Sequence, residues 1–239
     1  MTASSPRAST PFLDARGIDA VLFDAGGVFV LPDPTVLGPL LAYYGGAAEI
    51  EVHRRAHYAA MAAKSRSGAT EKVWSDYDAA YVVAVGVPAE HQEVAAVVLG
   101  RTRSAYLWRW AVRENIDALR ALQQMGVPVG VVSNASGQIA DMLARSGVCQ
   151  AGDGRHVPVR CVIDSHVVGV AKPDPAIFDH ALAHFADIPR ERVAYVGDSV
   201  TMDVEGARAA GLQAFLLDPH DDHPGADFER LRSVAELLG

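Results

Sequence analysis

The chain has 239 residues, half of them hydrophobic, and a formal net charge of −8. That length and composition suit one α/β domain, or such a domain carrying an insertion. The acidic balance and the lack of a basic cluster exclude nucleic acid as the main partner, no apolar stretch approaches the roughly 20 residues that span a bilayer, and an anionic small molecule is still admitted because a cationic pocket can sit inside an acidic surface.

Residues 1–18 begin Ser/Thr/Ala/Pro-rich, without the apolar core of a signal peptide, and read as a flexible tail. Cys149 and Cys161 are the only two thiols, too few for a disulfide framework, and they receive no role. The expectation is a cytoplasmic protein. Next comes the run Ala20-Val21-Leu22-Phe23, which stops at Asp24 and is followed by Gly26-Gly27. Such a run closed by turn residues reads as a strand buried on both faces, with Asp24 where it emerges.

Asp33-Pro34 is a helix start, a capping side chain followed by proline at the first helical position. Leu37, Leu40, Leu41 and Tyr44 recur at helical spacing until Gly45-Gly46. Further helical stretches over 47–66, 70–85 and 89–108, with almost no strand signal between them, predict a helical bundle. His53 and His57 lie four apart, but no acidic residue sits between them. They read as a solvated or substrate-facing side of the bundle rather than a metal pair. His53-Arg54-Arg55, Lys64 and Arg66 read as the wet face of the second helix, with contact to an anionic substrate as the alternative. Tyr106, Trp108 and Trp110 are expected to pack the junction of bundle and core.

From residue 114 the rhythm changes. Helices over 114–125, 135–146, 175–185 and 201–210 alternate with apolar runs over 127–132, 159–163, 193–196 and 214–217. That alternation predicts a parallel sheet with right-handed crossovers. Residues 150–157 read as a surface loop, 218–223 as a polar turn, and 227–238 as a closing helix. The first strand belongs to the same sheet, so the bundle is an insertion into an α/β core.

Parallel strands bring their carboxyl ends to one edge, where ligands bind in open α/β sheets. The residues expected there are Asp24, then Ser133-Asn134, then Lys172, then Gly197-Asp198 with Asp203 five residues beyond Asp198. Taken singly, Ser133 and Asn134 read as helix caps, Lys172 as a solvated lysine and Asp203 as a helix-start charge. Taken together they have a chemical logic. Clustered carboxylates repel one another and would repel a phosphate, and a divalent cation with hard oxygen ligands, magnesium, resolves both conflicts. Asp24 then attacks phosphorus as a nucleophile. Ser133 binds the phosphoryl oxygens, and Lys172 neutralises the charge that develops. Asp198 holds the metal opposite Asp24, and Asp203 supports the metal shell or orients its neighbours.

The motifs FDAGGV, VVSNAS, VGVAKPDPAIF and YVGDSVTMDVEGARAAG, in that order, make the chain resemble the haloacid dehalogenase superfamily over almost its whole length. The resemblance implies a Rossmann-like core over 19–32 and 111–239, a helical cap over 33–110, and a magnesium-dependent phosphoryl-transfer site. By position Asp24 matches the nucleophile, Ser133 and Asn134 the substrate-binding segment, Lys172 the motif lysine, and Asp198 and Asp203 the acidic loop. Gly26 matches a position whose backbone carbonyl binds the metal. Most phosphatases of this superfamily carry a second Asp there as general acid/base, and this chain does not. Restoring it, Gly26→Asp, is expected to fit sterically or nearly so. The resemblance thus points to a phosphatase of small phosphorylated metabolites. Its rivals are a metal-independent 2-haloacid dehalogenase and a noncatalytic ligand-binding relative. The dehalogenases carry an aromatic residue at the Gly26 position and lack the Gly-Asp of the acidic loop, which this chain has.

Overall fold

The computed structural model describes residues 9–239. It opens on α1 (Pro11–Arg16), capped by the Thr10 hydroxyl on the Leu13 amide and closed by Gly17. Thr10 and Leu13 are fully buried. From Thr10 onward the stretch expected as a flexible tail is therefore packed helix, because a capping hydroxyl, a first-turn proline and one apolar anchor suffice to fix it. Residues 1–8 of that expectation lie outside the described part.

β1 (Ala20–Phe23) is buried along its whole length. β2 (Val30–Pro32) leads into α2 (Pro34–Ala42), α3 (Ile50–Arg66), α4 (Ser75–Ala84) and α5 (Ala89–Thr102), and β3 (Trp108–Ala111) returns antiparallel to β2. The four helices close around their own core of Leu37, Leu41, Ala56, Tyr77, Tyr81 and Leu99. The fourth helix was expected to reach residue 108. It stops at Thr102, because the backbone of 108–111 pairs with β2 and ties together the two ends of the insertion.

The remaining chain runs through α6 (Arg113–Gln124), β4 (Val129–Ser133), α7 (Ile139–Arg145), β5 (Cys149–Ala151), β6 (Val157–Val159), β7 (Val162–Asp164), α8 (Ser165–Val168) and α9 (Ala176–Leu182). β8 (Val193–Gly197) is followed by a wide π turn over Val200–Val204, then α10 (Glu205–Ala209), β9 (Gln213–Leu217) and β10 (Glu229–Leu231). The expected loop over 150–157 is flanked by β5 and β6, which pair in parallel, and the closing helix is replaced by β10 and a 3₁₀ turn over Val234–Leu238. At β10 the chain adds an edge strand to the sheet beside β9, burying Leu231.

The main sheet has the order β10-β9-β8-β1-β4-β7, and every pairing in it is parallel. Its two faces follow the period of two along each strand. Val21, Phe23, Ala194 and Val196 pack on one face, and Ala20, Leu22, Val193 and Tyr195 on the other. β1 lies between β8 and β4, so the connections leave it in opposite directions and a crevice opens beyond its carboxyl end.

Candidate active site

Asp24 stands at that crevice. Its Oδ1 accepts from the Ala25 amide at 2.7 Å and lies 3.0 Å from Lys172 Nζ. Asp198 follows β8 directly, and Asp203 lies in the π turn beyond it. Asp24, Asp198 and Asp203 are all buried, each offering an oxygen within 4.8 Å of the others. Lys172 Nζ donates to Asp203 Oδ1 at 2.6 Å and to the Tyr195 hydroxyl at 2.8 Å. The second Asp203 oxygen accepts from the Ser199 amide at 2.9 Å. Both Asp203 oxygens are thus engaged by protein donors, and the residue fixes the ammonium against Asp24.

Two glycines let these carboxylates come so close. A Cβ on Gly27, whose φ is +71°, would fall 1.9 Å from Asp198 Oδ2, and one on Gly197 would fall 2.2 Å from Asp203 Cγ. No other residue fits either position without moving an acid.

Charge in the cluster is unbalanced, with three carboxylates facing one lysine. Burial, and then the Asp203 and Asp198 carboxylates, raise the Asp24 carboxyl to about 7 against the opposing pull of Lys172. Burial pushes the Lys172 ammonium down, but the Asp203 and Asp24 carboxylates outweigh it and leave the lysine raised. Both shifts express a shortage of positive charge. A compact, buried, oxygen-only donor set short of positive charge fits a small hard divalent cation.

The strand ends supply the other expected residues. Ser133 ends β4 and lines the cavity over Asp24. The Asn134 side chain is committed to protein: Oδ1 accepts from the Lys172 amide at 2.8 Å, and Nδ2 donates to the Lys172 carbonyl at 2.9 Å and to Glu71 Oε2 at 3.2 Å. It clamps the lysine segment. Gly26 also lines the cavity, and a Cβ there would stand 3.3 Å from Trp108 Cε3 and Cζ3. The Trp108 ring thus stands close over residue 26, and a side chain there fits, nearly as expected, once the ring yields by a few tenths of an ångström.

The helices close the crevice from above, leaving a cavity of about 250 Å³. Here the sequence reading needs correction. His53 and His57 are buried rather than solvated. His53 bonds Tyr81, and His57 bonds Tyr77 through Nδ1 at 3.0 Å and Asp198 Oδ2 through Nε2 at 3.0 Å. The next residue, Tyr58, donates to the Gly27 carbonyl at 2.8 Å. Lys64, read as part of a wet face, is buried and lines the cavity, its Nζ 3.5 Å from the Trp74 ring centroid. The rest of that face is outward: Arg54 pairs with Glu114, Arg55 with Asp222 at 2.6 Å, and Arg66 is exposed. For His57 a substrate-facing side and for Lys64 contact with an anionic substrate stood beside the wet-face reading, and both side chains turn inward. The signal was present, because 53, 57 and 64 are spaced to share one helix face. Trp108 packs at the junction as expected, whereas Tyr106 is exposed. In the polar turn, Asp218 is buried and accepts from the Asp222 and His223 amides.

A model of the haloacid dehalogenase-like hydrolases matches residues 18–211. The chain belongs to this family. Haloacid dehalogenase-like hydrolase domain-containing protein 3 of Bos taurus is 37% identical over 138 residues, which is 54% of this chain and 51% of that protein. A phosphoserine phosphatase of Thermus thermophilus is 32% identical over 158 residues, 64% of this chain and 58% of its own. The chain thus spans about half the length of these curated relatives. A solved HAD phosphatase from Thermococcus onnurineus shares the fold at TM-score 0.56 and 20% identity, with 92% of this chain and 96% of that one covered. Phosphatases and dehalogenases both stand among the matched structures, so the fold does not choose between them. Within the family, the core of this chain is the Rossmann-like α/β sheet, and no helix among the described residues is long and apolar enough to cross a membrane.

Proposed function

We propose that this haloacid dehalogenase-like hydrolase is a magnesium-dependent phosphomonoesterase of small phosphorylated metabolites. The observation that carries the reading is the buried cluster of Asp24, Asp198 and Asp203 against Lys172, under a cavity of about 250 Å³, small for a ligand site. Asp24, Asp198 and the Gly26 carbonyl would hold the cation, with Asp203 and His57 behind them. The ion, when bound, supplies positive charge to the transferring phosphoryl oxygens.

The chain's own groups divide the remaining work. Asp24 attacks phosphorus through its free oxygen; the bond from phosphorus to the leaving oxygen breaks, and that oxygen departs with the electron pair. Ser133 and Lys172 stabilise the equatorial oxygens. Water then attacks the phosphorus of the aspartyl phosphate, releasing phosphate and restoring Asp24. With glycine at 26, the leaving oxygen takes its proton from water or from the substrate itself. Good leaving groups are favoured accordingly, since a positioned acid contributes ~10²–10⁴-fold.

The second reading is haloacid displacement at carbon, with Asp24 as nucleophile. An aromatic ring, that of Trp108, does stand beside residue 26. Three buried carboxylates oppose that reading, because an anionic haloacid would approach them uncompensated. Phosphate release from an aryl phosphate, with magnesium or with EDTA, tests the proposal on the native chain and on Asp24→Asn. Metal-dependent release that vanishes in Asp24→Asn is expected. Chloride release from 2-chloropropionate that persists in EDTA would establish the rival.

A further inference from the structure

Lys64 is the one buried cation of the cavity that the proposed chemistry leaves without employment. It is 2% exposed, yet among the described residues it makes no ion pair and no side-chain hydrogen bond; its Nζ only sits over the Trp74 ring, at 3.5 Å. Lys172, equally buried, is held by two carboxylates and a hydroxyl. A cation–π contact returns only part of what burying an ammonium costs. Burial lowers the Lys64 ammonium, with attraction from Glu71 and Asp198 acting at longer range and Arg103 repelling it. Glu71 is already bonded to Asn134, and Arg103, also against Trp74 at 4.6 Å, is paired with Asp78. The cavity wall therefore presents one ammonium, open to the cavity, that has no acceptor among the described residues.

We infer that the ligand brings that partner: the substrate carries a second anionic group, a carboxylate or another phosphate, which Lys64 receives while its phosphoryl group lies at Asp24. The inference rests on the phosphomonoesterase reading for the placement of the phosphoryl group. Lys64 and Asp24 line one cavity of about 250 Å³, which limits the substrate to a small molecule.

The test compares phosphoglycolate, ethylene glycol bisphosphate and 2-hydroxyethyl phosphate as substrates, on the native chain, Lys64→Gln and Lys64→Arg, with magnesium. A charged hydrogen bond is worth about 1.5–3 kcal/mol. The native kcat/KM should therefore favour phosphoglycolate or the bisphosphate over the hydroxyethyl ester by about tenfold to a hundredfold. Whichever is favoured identifies the second group. Lys64→Gln should erase that ratio and Lys64→Arg should retain most of it. Equal losses on all three esters, or no native preference, would overturn the inference. An aryl phosphate run alongside separates the two claims: metal-dependent turnover of it with no Lys64-dependent preference sinks only the second-anion inference. Calorimetry with phosphonoacetate and ethylphosphonate decides the matter even without turnover. A tighter phosphonoacetate complex that Lys64→Gln loosens upholds the role of Lys64, and equal or absent binding rejects it.

Discussion

Returning a side chain to residue 26 tests what Trp108 does in this site. A Cβ on Gly26 would stand 3.3 Å from both Cε3 and Cζ3 of Trp108, inside the optimal carbon contact of about 3.5–4.0 Å. The ring meets His57 edge-on at 5.3 Å and Trp74 at 6.2 Å, its backbone pairs with Pro32, and it lines the cavity. Overpacking of this kind costs about 1–3 kcal/mol, or about 2–4 °C of melting temperature per kcal/mol in a chain of this size. Gly26→Asp alone should therefore melt lower and gain no activity. Combined with Trp108→Leu, which removes both blocking atoms, the carboxyl group can stand beside Asp24. A positioned acid contributes ~10²–10⁴-fold, so the double variant should exceed Trp108→Leu alone by at least ~10² on an alkyl phosphate. An aryl phosphate, whose leaving group needs little proton donation, should move far less. The assay is kcat/KM on both esters for the four proteins of the cycle. If Gly26→Asp alone equals the double variant, Trp108 does not exclude the carboxylate. If the alkyl-to-aryl ratio never changes, proton donation is not what the site lacks.

Three further outcomes are expected. The Asp24 carboxyl is raised from 3.8 to about 7, so the native state holds the proton more strongly and stability falls as pH rises through that interval. Without metal, the native chain should lose more melting temperature between pH 5 and pH 8 than Asp24→Asn does, and magnesium should restore it; parallel curves for the two proteins would refute the assignment. His57→Phe removes the 3.0 Å contact on Asp198 Oδ2. Calorimetric magnesium affinity should drop about tenfold or more, as for other groups that orient a metal ligand, and unchanged affinity would make His57 a packing residue. Tyr195→Phe takes the hydroxyl from Asp203 Oδ1 at 3.0 Å and from the Val132 carbonyl at 3.0 Å. Denaturant unfolding should show a loss of about 1–3 kcal/mol, and a loss below about 0.5 kcal/mol would mean that Asp203 does not depend on it.

The parts legible in the sequence were those whose signal is local. Asp24, Ser133 and Asp198 each end or follow an apolar run, so one parallel sheet sufficed to bring them together with Lys172 and Asp203. The structure does so, and it also shows what each is bonded to, which spacing cannot. β10 was hidden because three residues of edge strand, Glu229–Leu231, carry too little periodicity to separate them from a helix. The site was incomplete for a different reason. Whether His57 and Lys64 face water or a crevice depends on where the helices dock, and polar side chains on a helix look the same in either case. Trp108 is the opposite case: a side chain at 26 was expected to fit or nearly so, and the close neighbour it meets, at 3.3 Å from a Cβ there, lies 82 positions later in the chain.

The docking of α3 joins these facts. His57 holds Asp198, Tyr58 holds the Gly27 carbonyl, and Ser65 Oγ accepts from the Val200 amide at 3.2 Å. Lys64, one turn further along from Ala60 and Met61 on the same helix, waits at the cavity wall. The residues that anchor the helix to the core thus belong to the element that carries the unpartnered ammonium. Moving α3 outward would free Asp198 from His57 and take Lys64 from the cavity in the same step. An anion bound at Lys64 favours the seated helix over the displaced one by its difference in affinity for the two. Binding energy from the non-reacting end of the substrate would then be spent on fixing Asp198 at the reacting end. The consequence is measurable as a split between constants. A phosphate ester without a second anion should lose kcat as well as raise KM, and if it raises KM alone, Lys64 binds the substrate without ordering the site.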